Sequence, residues 1–353
     1  MKQYKNSMSR ASFLRLLGCS TLGLFLPNSS ESVSKSQSKD SNLENQFIDK
    51  LFSESLVFDG VGSLGIKRGL ERVSFVPGDI KKLTGIDAGT QGVPTARLDE
   101  HNRWLEEHKD AFYRIDRASD IRTTQVTNRY GMLYYIQQGF EMNGIIESLA
   151  KWKEQGLRCL QITYGDNELG GGSRSNETPL SALGKNVIKE MNRLRMVVDI
   201  SHTGKRTTLD VCQLSSAPVT ANHANAERLT GHSRNKSDEE MKAIAETGGL
   251  VGVTTINRFI IQDHSRPATI DDFVDHVDYI VQMIGIDHVG IASDCGMDGT
   301  QRYEVDFSGP YLNSYERWKH VARRLHRKGY TETDLKKILG LNFKRVFAQI
   351  LDP

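Results

Sequence analysis

The chain of 353 residues is poor in cysteine, with Cys19, Cys159, Cys212 and Cys295 and no CxxC pair. A zinc knuckle built from paired CxxC motifs is thereby excluded, and no disulfide framework is implied. Cys159 lies inside an apolar run and reads as a small buried hydrophobe. An excess of one charge is missing too. The 46 Lys and Arg nearly balance the 44 Asp and Glu, leaving a net charge of +2. With no basic stripe interleaved with aromatics, nothing points to nucleic acid. No apolar run approaches the roughly 20 residues that a membrane-spanning helix needs. No GxGxxG follows the first apolar run, so a dinucleotide site has no support. No GxSxG is present, so Ser201 and Ser293 lack the setting of a serine nucleophile. Repeats at solenoid periods are absent as well.

What is present begins with the pattern of an export signal. Lys2, Lys5, Arg10 and Arg15 precede the apolar stretch Leu16–Leu26, and Pro27-Asn28-Ser29-Ser30 closes it. Ser9–Arg15 resembles a twin-arginine signal with Ala11 where the second arginine belongs. Leu16–Cys19 resembles a lipobox interrupted by Arg15. Residues 1–30 are therefore expected to send the protein to the periplasm or the outer side of a membrane. A lipid anchor at Cys19 is the one membrane contact foreseen. Residues 31–48, rich in Ser, Lys, Asp, Asn and Glu, read as a flexible tether, and 49–353 as one domain.

Within that domain short apolar runs alternate with helix-like stretches. The runs are Leu56–Phe58, Gly131–Ile136, Leu157–Thr163, Met196–Ser201, Pro218–Asn222, Leu250–Thr255 and His288–Ser293. Their length suits buried parallel strands. Helices are predicted over Asn143–Gln155, Pro179–Leu194 with Thr178 as cap, Ser237–Thr247, Ile270–Ile284, Thr331–Asn342 and Phe343–Leu351. The polar stretch Arg97–Thr124 is also expected to be helical. Alternation of this kind indicates an α/β fold, and the length fits a (β/α)8 TIM-like barrel. An eighth strand is expected near Thr84–Val93, although Gly85, Gly89 and Gly92 dilute the signal. A doubly wound open sheet is the alternative.

Two apolar runs lead directly to a histidine, at His202 and His223. Chemistry collects at the carboxyl ends of parallel strands, and neutral imidazole is a good zinc ligand. Two histidines in the same local setting favour a shared metal over a pair of structural histidines. HVGIASD delivers Asp294 at the end of a third run, as a metal ligand or a proton carrier. The plainer role for Asp294, as for Asp298, is a cap in a glycine-containing turn. Arg234, in the polar loop His232-Ser233-Arg234-Asn235, could grip a carboxylate, or be an ordinary surface arginine.

The blocks MNRLRMVVDISH (Met191–His202), PVTANHANAERL (Pro218–Leu229), RNKSDEEMKAIAETGGLVGV (Arg234–Val253) and IDHVGIASD (Ile286–Asp294) resemble motifs of the membrane, or renal, dipeptidase family, peptidase family M19. Thr178–Asn192 and Gly156–Tyr164 fit as well, and the resemblance runs from about Leu56 to the C-terminus. It implies a metal-dependent, amidohydrolase-related barrel in which two zinc ions share a bridging glutamate. By the same resemblance His202 and His223 bind one zinc, Arg234 holds the free carboxylate of a dipeptide, and Asp294 transfers protons. Other positions depart from the pattern. Val61 and Ser63 stand where a His-x-Asp pair opens the family's site, Gln138 replaces the bridging glutamate, and Tyr164 replaces a histidine beside the reacting carbonyl.

These departures fall on one side of the site. One zinc ion is therefore expected rather than two, on His202 and His223 with Gln138 or Asp294 as third ligand. Tyr164 is placed to donate a hydrogen bond to an oxyanion. The reading is an exported hydrolase of dipeptides or small acyl-amino acids that bear a carboxylate. The alternative is a non-hydrolytic relative that binds or matures a peptide-like small molecule. A homodimer is compatible with the sequence, which carries no signal for oligomeric state.

Overall fold

The computed structural model describes residues 29–63, 80–138, 140–296 and 308–352. The chain divides into two units, residues 1–45 and 46–353. The expected export signal, Cys19 included, lies outside the described residues except for Ser29 and Ser30. A helix, Ser29–Glu54, includes the stretch read as a tether. The apolar spacing Phe47, Ile48, Leu51, Phe52 explains its C-terminal part, where Ile48, Leu51 and Phe52 are buried.

Eight parallel strands form the second unit's centre: β1 Phe58–Asp59, β2 Ala88–Gly92, β3 Tyr130–Ile136, β4 Leu157–Gln161, β5 Val197–Asp199, β6 Val219–Ala221, β7 Leu250–Thr254 and β8 Val289–Ala292. Each pairs with the next in chain order, and β1 closes on β8 through Asp59 and Ile291. The fold is a closed (β/α)8 barrel. All seven expected runs are strands, and the diluted segment supplies β2. The glycine that weakened its signal is required by close approach. A Cβ on Gly89 would come within 2.6 Å of the Tyr130 hydroxyl and 2.8 Å of the Asp59 carbonyl oxygen.

Period-2 alternation assigns the two faces of the strands. Leu133 and Tyr135 of β3 share an apolar cluster with Cys159, Val197 and Leu250, while Met132, Tyr134 and Ile136 belong to the cluster that also holds helix residues such as Val187, Ile244 and Phe273. The C-terminal helix Asn342–Leu351 seals the first cluster with Phe343, Val346, Phe347 and Ile350. Gly290 of β8 admits the Phe343 ring, because a Cβ there would lie 2.5 Å from it.

Two local expectations are corrected. The Arg97–Thr124 stretch is not continuous helix. It holds helices Leu98–Glu107 and Asp120–Val126 around a short strand, Phe112–Arg114, which pairs with the first half of β3. The aromatic Phe112 is fully buried there, and burial overrides the polar surroundings. The helix after β4 starts later than predicted, at Ala182, because Ser181 rather than Thr178 caps it by accepting from the Gly184 amide at 2.9 Å. The helix Asp238–Glu246 carries the capping box, Ser237 with Glu240, that its sequence announces. Among the described residues no helix is long and apolar enough to cross a membrane.

Candidate active site

The site assembles at the carboxyl ends of β4 to β8. β5 ends at Asp199, and three residues on comes His202. β6 ends at Ala221, and two residues on comes His223. The two rings converge: their Nε2 atoms are 3.1 Å apart. His223 is fully buried and His202 partly exposed.

A buried aspartate ties the two histidine loops together. Asp199 Oδ1 accepts from the Ser201 amide at 3.0 Å, the Ser201 hydroxyl at 2.5 Å and the Asn222 amide at 2.9 Å. The Ser201 oxygen in turn accepts from the His223 amide at 3.0 Å. Tyr135, from inside the barrel, donates to Asp199 Oδ2 at 2.5 Å. Ser201 is thus a latch between loops, which accounts for its place beside His202 without nucleophilic chemistry. Asp199 and Tyr135 went unrecognised in the sequence. The available signal was a carboxylate set inside an apolar strand, which must find hydrogen-bond partners when buried.

Arg234 is buried and faces the same pair. Its Nη1 donates to the Ser201 carbonyl, and Nη2 donates to the His223 carbonyl at 2.8 Å. Its Nε–H is buried without a partner. The guanidinium carbon lies 5.4 Å from the centre of the Phe259 ring, which follows β7. Lys236, two residues on, fixes the loop by donating to the Thr203 carbonyl at 2.7 Å and to Glu240 at 3.1 Å.

Asp294 follows β8 in the left-handed region, φ 52°, which aspartate tolerates better than most residues. Its amide donates to the Val61 carbonyl at 2.6 Å, and its Oδ2 lies 4.0 Å from His223 Nε2. Tyr164 follows β4 and stacks on His202, with ring centres 4.1 Å apart and planes at 21°. Gln138, two residues beyond β3, is exposed and takes no place in the cavity wall.

Burial holds both histidines well below the usual imidazole range. The Arg234 charge adds to this at each, followed by His223 at His202 and by Lys236 at His223. Both rings are therefore neutral at pH 7 and offer lone pairs. The cavity beside them has a volume of about 460 Å³ and is lined in part by Tyr164, Arg174, His202, Arg234, Arg258 and Phe259.

Residues 75–352 match the family model described as membrane dipeptidase, peptidase family M19. The chain belongs to the membrane dipeptidase family. A dipeptidase of Claviceps purpurea, tcpJ, is 26% identical over 260 residues, covering 72% of this chain and 59% of the relative. The chain thus spans less than two thirds of that relative's length. A Pseudomonas aeruginosa amidohydrolase structure aligns with TM-score 0.76 at 24% identity, over 87% of this chain and 99% of the other. A Rhodobacter sphaeroides metallo peptidase, solved with a phosphinate mimic of the dipeptide L-Ala-D-Ala, aligns with TM-score 0.71 at 20% identity, over 84% and 100%. The probable dipeptidase PvdM of Pseudomonas aeruginosa aligns with TM-score 0.73 at 19% identity, over 88% and 99%. These structures share the barrel.

Membership in a metallopeptidase family raises the question of whether these residues fit a metal. Two imidazole nitrogens on one tetrahedral zinc, each at about 2.0–2.1 Å, sit roughly 3.3 Å apart. The neutral His202 and His223 nitrogens at 3.1 Å match that spacing. Asp294 Oδ2 lies 4.0 Å from His223 Nε2, and among the described residues no group of three or more His, Cys, Asp or Glu is placed to hold a metal ion. The spacing of the pair fits a shared metal ion.

Proposed function

We propose that this member of the membrane dipeptidase family is an exported hydrolase that cleaves the amide bond of dipeptides or similar small acyl-amino acids with a single zinc ion. The observation that carries the reading is the pair of neutral imidazole nitrogens 3.1 Å apart beside a buried arginine. The signal-like N-terminus supports export.

His202 and His223 would hold the ion, with Asp294 at its edge. Zinc in such a site supplies Lewis acidity, which acidifies water and polarises a carbonyl. The remaining steps belong to the chain. Arg234 binds the substrate's free carboxylate, using N–H groups that its two backbone bonds leave over, and the Phe259 ring backs its guanidinium. The backbone bonds fix the guanidinium before substrate arrives, so little side-chain entropy is lost on binding. Asp294 takes up the proton of the attacking water and returns it to the leaving amine. Tyr164, partly exposed over His202, donates its hydroxyl hydrogen to the developing oxyanion.

Elemental analysis of purified protein, together with hydrolysis of a dipeptide panel, tests this reading. About one zinc per chain is expected, lost when His202→Ala and His223→Ala are combined, with hydrolysis lost in parallel. Hydrolysis that survives in metal-free protein would refute the reading. A protein that binds peptides, retains no metal and cleaves none would favour the non-hydrolytic alternative.

A further inference from the structure

The cavity wall holds a histidine that none of the steps above uses. His232 lines the cavity together with His202, Arg234 and Phe259, and it is half-buried. Its backbone is pinned: the amide donates to the Thr230 hydroxyl at 3.2 Å, and the carbonyl accepts from the Asn235 amide at 2.9 Å. Its ring is pinned as well. Nδ1 accepts from the Arg234 amide at 3.0 Å, and the ring stands edge-on to Phe259, with centres 5.0 Å apart and planes at 74°. A backbone amide can only donate, so Nδ1 carries a lone pair. Burial, and after it the Arg234 charge, hold this ring below the usual imidazole range, so it is neutral at pH 7. The one ring proton of the neutral form therefore sits on Nε2. Among the described residues this N–H has no hydrogen-bond partner.

Its neighbour narrows what such a donor is for. Arg234 is buried, and the charges of Asp294 and Asp199 act on its guanidinium against the effect of burial. Those carboxylates offset part of the attraction that Arg234 offers an incoming anion. A neutral N–H beside it adds affinity for that anion without bringing another charge out of water. The imidazole of His232 and the guanidinium of Arg234 pack on the same Phe259 ring, the guanidinium carbon 5.4 Å from its centre. A carboxylate has two oxygens and about four lone-pair sites, so it can accept from both groups at once.

We propose that His232 is a further substrate-binding residue, whose Nε2–H donates to the free carboxylate that Arg234 holds. This rests on the dipeptide reading above and assigns another residue to that site. The two ring nitrogens then divide two tasks: Nδ1 holds the Arg234 backbone, and Nε2 reads the substrate. The carboxylate takes no part in bond breaking. Its bond to His232 is therefore the same in the ground and transition states, and lowers KM without raising kcat.

Two substitutions separate the two nitrogens. His232→Asn puts an amide oxygen near the place of Nδ1 and removes the donor at the place of Nε2. His232→Gln extends an amide N–H towards the place of Nε2 and gives up the acceptor for Arg234. The probes are Ala-Ala, with the second residue L or D, and its C-terminal amide, titrated into the full chain. Kd is read by calorimetry, with KM and kcat where a peptide is cleaved. The Asn variant is expected to bind the free dipeptide about tenfold more weakly, through KM rather than kcat, with zinc content and affinity for the amide unchanged. The Gln variant should stay within about threefold of the wild type. A Gln variant impaired as much as the Asn variant or more, or a loss shared by free acid and amide, overturns the proposal and leaves His232 as a support of the Arg234 loop. Unchanged affinity of the Asn variant for the free dipeptide also overturns it, while the dipeptide reading stands. If the wild type binds neither probe, the dipeptide reading falls and this proposal with it.

Discussion

Lowering the pH should loosen the loop that carries Arg234, through a histidine that never touches substrate. His276, on the helix Ile270–Ile284, is buried. Its Nδ1 accepts from the Ala226 amide at 3.1 Å, at the root of the Arg234 loop, and its Nε2–H donates to the Ile260 carbonyl at 2.9 Å. Burial pushes its pKa down to about 4, against the hydrogen bond to Ile260, which pulls the other way. An unfolded histidine titrates near 6.5, so the unfolded chain takes up this proton first. The contribution of His276 is therefore complete above about pH 6.5 and drains away as the pH falls towards 4. The whole difference corresponds to about 3 kcal/mol, of which about 2 kcal/mol is gone by pH 5. Burial lowers the His101 and His232 pKa values as well, so the wild-type acid limb is steeper than His276 alone would make it. His276→Gln isolates the share of this residue, because glutamine can accept from Ala226 and does not titrate. Urea unfolding at pH 7.5 and pH 5.0 should show the wild type losing about 2 kcal/mol more than the variant between the two conditions. Equal losses in both proteins would refute the assignment.

Three further outcomes follow from the site and the barrel. Arg234→Ala should raise KM for substrates with a free C-terminal carboxylate by about ten- to a hundredfold, as expected for loss of a buried charge-assisted pair, and should affect C-terminally amidated substrates far less. Equal effects on both would remove Arg234 from carboxylate binding. Combining Val61→His, Ser63→Asp and Gln138→Glu should raise the zinc content from about one towards two per chain; an unchanged elemental analysis would show that these loops do not converge on the histidine pair. Phe343→Ala should cost about 3–5 kcal/mol in unfolding free energy, the usual cost of emptying a buried aromatic site, and a loss below about 1 kcal/mol would contradict the packing of its ring against Gly290.

Local patterning made much of the fold legible. Runs of β-branched and apolar residues marked seven strands, and capping residues such as Ser237 marked helix starts. Gly89 misled for a physical reason. It reads as a strand breaker, yet a side chain there would collide with Tyr130 and Asp59 across the sheet. Phe112 misled in the opposite sense, since a polar neighbourhood hid a buried strand. Residues 31–48 were read from composition, although the apolar spacing that continues their helix begins at Phe47. The candidate residues at strand ends could be named because chain order places them there. Asp199 and Phe259 could not, since their roles rest on partners from other strands and loops.

By itself, the sequence determined the ladder of strands and helices, the family, and which polar side chains follow which strands. Only the closed barrel decided that His202 and His223 meet at 3.1 Å and that Tyr164 covers one of them. Strand and helix preferences act over a few residues. The distance between two strand ends is set by register, twist and closure of the whole sheet, to which every strand contributes.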